Sequence, residues 1–115
     1  MGLPDAKKTK IPKAKIVGYL LSSTHPAGRS KAAFFRKHGF AENKWQALRD
    51  ALRVHAQRGD LVTTEVTQHG TRYVVDGTIA APDGTFLNVR SVWFIRRSES
   101  SPTLATAHPL RRTEP

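Results

Sequence analysis

The stretch Thr78-Ile79-Ala80-Ala81-Pro82-Asp83-Gly84-Thr85-Phe86-Leu87-Asn88-Val89-Arg90-Ser91-Val92-Trp93-Phe94-Ile95-Arg96-Arg97 decides the fold. Its residues are rich in Val, Ile, Thr and aromatics, and Pro82-Asp83-Gly84 breaks it with a turn of defined chemistry. Leu87, Val89, Trp93 and Ile95 share parity, which puts one sheet face against a packed layer. The same two-residue period runs from Leu61 onward. It predicts strands over Leu61–Gln68, Arg72–Ala81, Thr85–Arg97 and Thr103–Pro109, with His69-Gly70 as a two-residue hairpin connection and Ser98–Pro102 as a looser turn. Consecutive hairpins make an antiparallel meander.

Upstream the period lengthens. Asn43-Lys44-Trp45-Gln46 has the form of a capping box, opening a helix through Arg58 whose apolar face is Trp45, Leu48, Leu52 and Ala56. Ser30 is a good N-cap for an earlier helix from Lys31 to His38. Gly39 then stands where a left-handed C-terminal glycine belongs, with Phe40 able to fold back onto Phe35. Ile16-Val17-Gly18-Tyr19-Leu20-Leu21 reads as a short buried strand or an extended core-anchoring segment. Residues 1–14, Lys-rich with Pro4 and Pro12, read as a flexible basic arm, and 111–115 as a tail. The expected architecture is α+β: a short N-terminal strand and two helices packed on a four-stranded antiparallel meander, as one domain over 15–110.

The chain has 115 residues, 19 Lys+Arg against 9 Asp+Glu, and no cysteine. That length suits one domain, burying roughly 65% of its unfolded surface. Disulfides, thiol nucleophiles and cysteine-held metals are excluded. No apolar run approaches the ~20 residues of a membrane span, and the basic N-terminus lacks the apolar core of a secretory signal. Charge is uneven, with 13 Lys+Arg and 4 Asp+Glu in residues 1–60 but 6 and 5 in 61–115. Such asymmetry is the footprint of a polyanion partner, most often nucleic acid. The helix face with Arg49 and Arg53 is one place to hold it.

None of the five histidines has metal-ligand spacing, and no phosphate-binding loop or nucleophile elbow occurs. No cofactor or metal is expected. His38 and His55 fall in last turns of helices, and His69 at a hairpin tip, so all three have structural explanations. His25 and His108 each precede a proline, which holds them extended. His25 sits close to Arg29 and Lys31, while Thr106 and His108 share a strand face with Leu104, opposite Ala105 and Ala107. These residue types suit RNA cleavage by the adjacent 2′-hydroxyl, which needs a base, an acid and cations for the phosphorane. His25, Lys31, Thr106 and His108 are the catalytic candidates, with Arg29, Arg90, Arg49 and Arg53 as phosphate-binding candidates. Trp93, by its parity with Val89 and Ile95, belongs to the core rather than to a stacked base.

Lys15-Ile16-x-x-Tyr19-Leu20-Leu21, His25-Pro26-x-Gly28-x-x-Lys31-Ala32-x-Phe34-Phe35 and Gly39-Phe40 together resemble a family of small, functionally uncharacterised bacterial domains. Gly77, Pro82-Asp83-Gly84, Val92-Trp93-Phe94-Ile95 and Leu104-x-Thr106-Ala107-x-Pro109 extend the resemblance over residues 15–110. That family commonly has Tyr where this chain has His108. The element order also looks like the barnase–EndoU–colicin–RelE-like ribonuclease fold of bacterial toxins, whose active site lies on the sheet face. This resemblance implies a metal-independent endoribonuclease acting on tRNA or mRNA and neutralised by a cognate acidic antitoxin or immunity protein. It implies action in the cytoplasm, reached by synthesis there or by delivery from another cell as part of a larger effector. Two other readings use the same features: a non-catalytic nucleic-acid-binding module, and a protein-interaction domain of antitoxin or inhibitor type.

Overall fold

The computed structural model describes residues 2–22, 24–26 and 29–110. Helices pack on one side of a four-stranded antiparallel sheet, an α+β architecture. The helices are α1 (Lys13–Lys15), α2 (Arg29–Lys37) and α3 (Trp45–Arg58), and the strands are β1 (Asp60–Thr67), β2 (Gly70–Ala80), β3 (Phe86–Arg96) and β4 (Thr103–Pro109). Sheet order is β1-β2-β3-β4, the meander that two-residue periodicity and short turns dictate. Leu87, Val89 and Trp93 are buried as their shared parity requires, in one core with Phe35, Leu48, Leu52 and Ala56 from the helices. Trp93 is wholly inaccessible and donates its indole N–H to Ser91 Oγ at 2.7 Å, so it is a core residue.

The C-terminus of α2 forms as its sequence predicts. Gly39 has φ +100°, a value that side chains with a Cβ tolerate poorly. The N–H of Phe40 donates to Phe35 O at 3.2 Å, that of Gly39 to Arg36 O at 3.0 Å, and the two phenylalanine rings meet edge-on at 6.0 Å. These are the two hydrogen bonds and the apolar contact of a Schellman motif. At the other end α2 starts at Arg29, so Ser30 lies inside its first turn instead of capping it.

Several local expectations are corrected. Ile16–Leu20 is not a strand but a wide π-type helical turn continuing α1, closed by Leu21 N–H donating to Ile16 O at 2.7 Å. Ile16 and Leu20, four apart, are both fully buried while Gly18 between them is exposed, a pattern that a helical turn produces and strand alternation does not. Residues 2–14 are no free arm: Leu3, Thr9 and Ile11 are buried. Lys10 pairs in parallel with Thr103 through its N–H to Pro102 O (2.7 Å) and its carbonyl, which accepts from Leu104 N–H (2.9 Å). Two apolar side chains, Leu3 and Ile11, spread among lysines sufficed to anchor the segment. Asn43 caps nothing, because Glu42–Lys44 forms a 3-10 turn before α3. The first hairpin turns at Gln68-His69, with Gly70 already paired to Thr67. In β4 the pairing jumps from Thr106 opposite Val92 to Leu104 opposite Trp93, making Ala105 the extra residue of a bulge. The bulge shifts the parity, so Leu104 and Ala107 both enter the core and the predicted alternation along β4 fails.

Candidate functional site

Three of the four catalytic candidates meet at a residue that sequence analysis had not singled out. Tyr19, on the π-type turn, receives a hydrogen bond from Lys31 Nζ of α2. Its hydroxyl also hydrogen-bonds the Thr106 hydroxyl of β4 at 3.3 Å. His25 stands edge-on to its ring at 4.9 Å. Lys31 and Lys15 place their ammonium groups 4.7 and 5.3 Å from the ring centre. A shallow groove of about 540 Å³, lined by Pro12, Ala14, Lys15, Gly18, Tyr19, His25 and Ala105, opens beside this group.

Local chemistry explains the convergence. The helical turn from Lys13 to Leu20 buries Ile16 and Leu20 and leaves Tyr19 half-buried on the adjoining face. Ser22 Oγ accepts the N–H groups of Thr24 (3.3 Å) and His25 (3.2 Å), a side-chain turn that sets the direction of the loop. The His25 carbonyl then accepts Arg29 N–H at 2.9 Å, joining the loop to α2. The Ala27-Gly28 part of the predicted His-Pro-x-Gly element lies outside the described residues.

The electrostatics are one-sided. Partial burial pushes the Tyr19 phenol up. Hydrogen bonds from Lys31 and Thr106 outweigh it, and the charges of Lys31 and Lys15 act the same way, so the phenol sits below its ordinary value. No acidic residue occurs between Asp5 and Glu42. Lys15 and Lys31 have no carboxylate partner among the described residues. A half-buried phenol ringed by uncompensated ammonium groups fits a phosphate better than any group within the chain.

The other candidates lie elsewhere. His108 pairs across the sheet with Arg90, and its Nδ1–H donates to Pro109 O at 3.2 Å. Thr106 and His108 are two residues apart on β4, roughly 7 Å at strand rise. Arg90 is engaged by Asp76, donating from Nε and Nη2 to the two carboxylate oxygens at 2.7 and 2.8 Å. This bidentate pair holds the Asp76 carboxyl below its usual range, with Arg90 the leading cause. Arg49 donates to Asp50 at 2.9 Å and stacks on Trp45 at 5.1 Å. Arg29 and Arg53 are exposed on α2 and α3.

His55 is structural, though not for the dipole reason its sequence position suggests. It is buried between sheet and helix, with Nε2 2.9 Å from Val89 O and Nδ1 2.9 Å from Ser91 Oγ. A carbonyl only accepts, so Nε2 carries the hydrogen, and neutral Nδ1 accepts from the Ser91 hydroxyl, which in turn accepts from Trp93. Burial is the main reason its pKa falls below the ordinary histidine value. Gly77 lies against the His55 ring, and a Cβ there would come within 3.2 Å of Gly59 Cα at the end of α3. A second cleft of about 490 Å³ near the end of α3 presents the Asp60 and Asp76 carboxylates with only Arg58 as a cation, a poor seat for an anion. Among the described residues no three potential metal ligands gather, and no helix is long and apolar enough to cross a membrane.

With this geometry the chain is an α+β domain whose helical side carries a cation-ringed tyrosine. It belongs to the family described as domain of unknown function DUF6883, whose model matches residues 2–111. A search of curated proteins gives no match. Among solved structures it is similar to a chain of the contact-dependent growth inhibition toxin–immunity protein complex from Klebsiella pneumoniae 342, with TM-score 0.73 and 14% identity. That alignment covers 93% of this chain and 97% of the other. At such identity the likeness is one of fold.

Proposed function

We propose that this chain is a toxin-type endoribonuclease that cleaves RNA through attack of the 2′-hydroxyl on the adjacent phosphate, without a metal. The observation that carries the reading is the convergence of His25, Lys31 and Thr106, from a loop, a helix and a strand, on Tyr19. His25 takes the 2′-OH proton as O2′ bonds to phosphorus. Lys31 and Lys15 bear on the negative charge of the phosphorane. The P–O5′ bond then breaks, and the Tyr19 phenol, its proton made more acidic by Lys31, protonates the departing 5′-oxygen. The products are a 2′,3′-cyclic phosphate and a 5′-hydroxyl, so no water or redox partner enters this step. Thr106 positions the phenol. His108, beside the Arg90–Asp76 pair, contacts substrate farther along the strand.

The fold likeness to a chain of a toxin–immunity complex supports a toxin-system role with a protein partner. An acidic antitoxin or immunity protein is the partner that matches a net charge of +10. Its carboxylates would take the places of the RNA phosphates, and the toxin acts in the cytoplasm on tRNA or mRNA. The test is incubation of inhibitor-free protein with total RNA in EDTA, with fragment ends mapped. Cyclic-phosphate ends that vanish in His25→Ala support the reading, while intact RNA at micromolar protein sinks it. Salt-sensitive binding without cleavage would instead describe a nucleic-acid-binding module.

A further inference from the structure

The groove at Tyr19 has a neighbour built on the same plan. Trp45, the first residue of α3, is half-buried, with Lys13 Nζ 5.6 Å and Arg49 Cζ 5.1 Å from its ring centre. Lys13 comes from α1, the helix that also sends Lys15 over Tyr19. Residues two apart on a helix point to different sides. The short α1 therefore lays one ammonium over each aromatic ring and joins the two places. Both lysines lie in the acid-free stretch between Asp5 and Glu42. Lys13 has no carboxylate partner among the described residues, and Arg49 gives only its Nε to the exposed Asp50.

We propose that Lys13, Trp45 and Arg49 form a second nucleic-acid subsite, holding phosphates of a single strand that runs from the Tyr19 groove across α1 to the start of α3. Trp45 is a positioning residue: its ring draws two cations to one place, leaving the Lys13 ammonium and the Arg49 Nη groups for phosphate oxygens. A folded protein gains little from gathering unpaired cations, whereas a polyanion gains from finding them preassembled. Neighbouring cations reinforce the subsite, with Lys44 and Arg53 both exposed on the same region of α3 and its leading turn. The proposal deepens the ribonuclease reading by giving the enzyme a grip on substrate away from the bond cut.

The test uses the full chain and single-stranded DNA, which lacks the 2′-hydroxyl and so survives the proposed chemistry. Binding is followed against salt with oligonucleotides of ~12 and ~3 nucleotides, since each phosphate contact contributes roughly 0.7 to the salt slope of a single strand. The double variant Lys13→Gln/Arg49→Gln is expected to lower the slope by about 1.4 with the longer strand and leave the shorter one unchanged. Lys37→Gln, on the exposed end of α2, should change neither. Tryptophan emission should also respond to the longer strand, and lose that response in Trp45→Phe, because Trp93 is inaccessible. Equal losses at both lengths, or an equal effect of Lys37→Gln, overturn the subsite in favour of diffuse attraction. Absence of binding to either oligonucleotide overturns the subsite as well, while the ribonuclease reading stands or falls with RNA cleavage alone. Length-dependent binding by a protein that leaves RNA intact upholds the subsite while removing the catalytic reading.

Discussion

Two polar groups lie about two strand residues apart and obey opposite rules. At one, Asp76 and Arg90 satisfy each other bidentately on the sheet, with His108 as a neighbour. At the other, Lys31, Lys15 and Tyr19 gather positive charge that no carboxylate of the described residues answers. The first is closed within the fold, so its removal registers as stability. The second is left open, and the proposed RNA phosphates are what would answer it. The same division runs through the sequence: residues 6–41 hold no acid, whereas the sheet half is nearly balanced.

The largest effects should therefore come from the Tyr19 group and spare the fold. His25→Ala and Lys31→Ala are expected to reduce RNA cleavage by about 10²-fold or more, the usual scale of acid–base and charge contributions, with melting temperature little changed. The pH profile sharpens this. Because Lys31 holds the phenol below its ordinary value, cleavage that requires the protonated phenol declines on the alkaline side earlier than a free phenol would allow. Lys31→Met removes that pull, so the alkaline limb moves to higher pH. Titration of phenolate absorbance in Tyr19→Phe isolates the group, since Tyr73 is the only other tyrosine. A limb that stays put in Lys31→Met removes Tyr19 from the chemistry.

His55→Ala should do the reverse, costing about 3 kcal/mol by taking the imidazole from the Ser91 hydroxyl proton and the Val89 carbonyl and opening a void, with the urea midpoint as its measure. The wild-type stability also has a pH signature. A histidine with a lowered folded pKa contributes fully above its unfolded value of about 6.5, and the contribution is lost as pH falls through the folded value. The variant should lack that slope. If His55→Ala abolishes cleavage while folding normally, the division between closed and open groups collapses.

How much of this could be read beforehand depends on the range of the interactions. The meander was legible because parity and turn chemistry are local, as was the end of α2, where Gly39 and Phe40 carry the whole motif. Ile16–Leu21 was ambiguous because a short apolar run suits strand or helix, and only the core that receives Ile16 and Leu20 chooses between them. The bulge at Ala105 has no signal of its own, being set by how β4 meets β3. His25, Lys31 and Thr106 were legible as chemically apt residues, but not as one group, because the phenol that unites them lies in a segment read as core. The absence of acids between Asp5 and Glu42 was the available clue, and it pointed to the region rather than to Tyr19.

Arg90→Ala probes the closed group directly. A part-buried bidentate pair at the protein surface contributes about 1 kcal/mol or less after solvent screening. The depressed Asp76 carboxyl stabilises the fold above its unfolded value of about 3.9, and that contribution disappears as pH falls through the folded one. Arg90→Ala should therefore lose stability at neutral and mildly acidic pH and little once pH has fallen below the folded Asp76 value, with cleavage within about twofold of wild type. A 10²-fold loss of cleavage would instead join the sheet face around Arg90 to the site.

The smallest effect belongs to the link between α2 and the β2–β3 turn. Asp83 takes hydrogen bonds from Thr85, whose N–H donates at 2.9 Å, and from His38 Nδ1 at 3.1 Å, and its pKa is lowered to about 2. The sign is that of a depressed carboxylate: the benefit is present above about pH 4 and lost as pH falls toward 2. Asp83→Asn should raise the pH at which the protein unfolds in acid, change stability less than either Arg90→Ala or His55→Ala, and leave RNA cleavage untouched. Circular dichroism during acid titration reads it. The turn is exposed and far in sequence from Tyr19, so a change in cleavage there would mean that α2 transmits the position of its Schellman end to Lys31 six residues back.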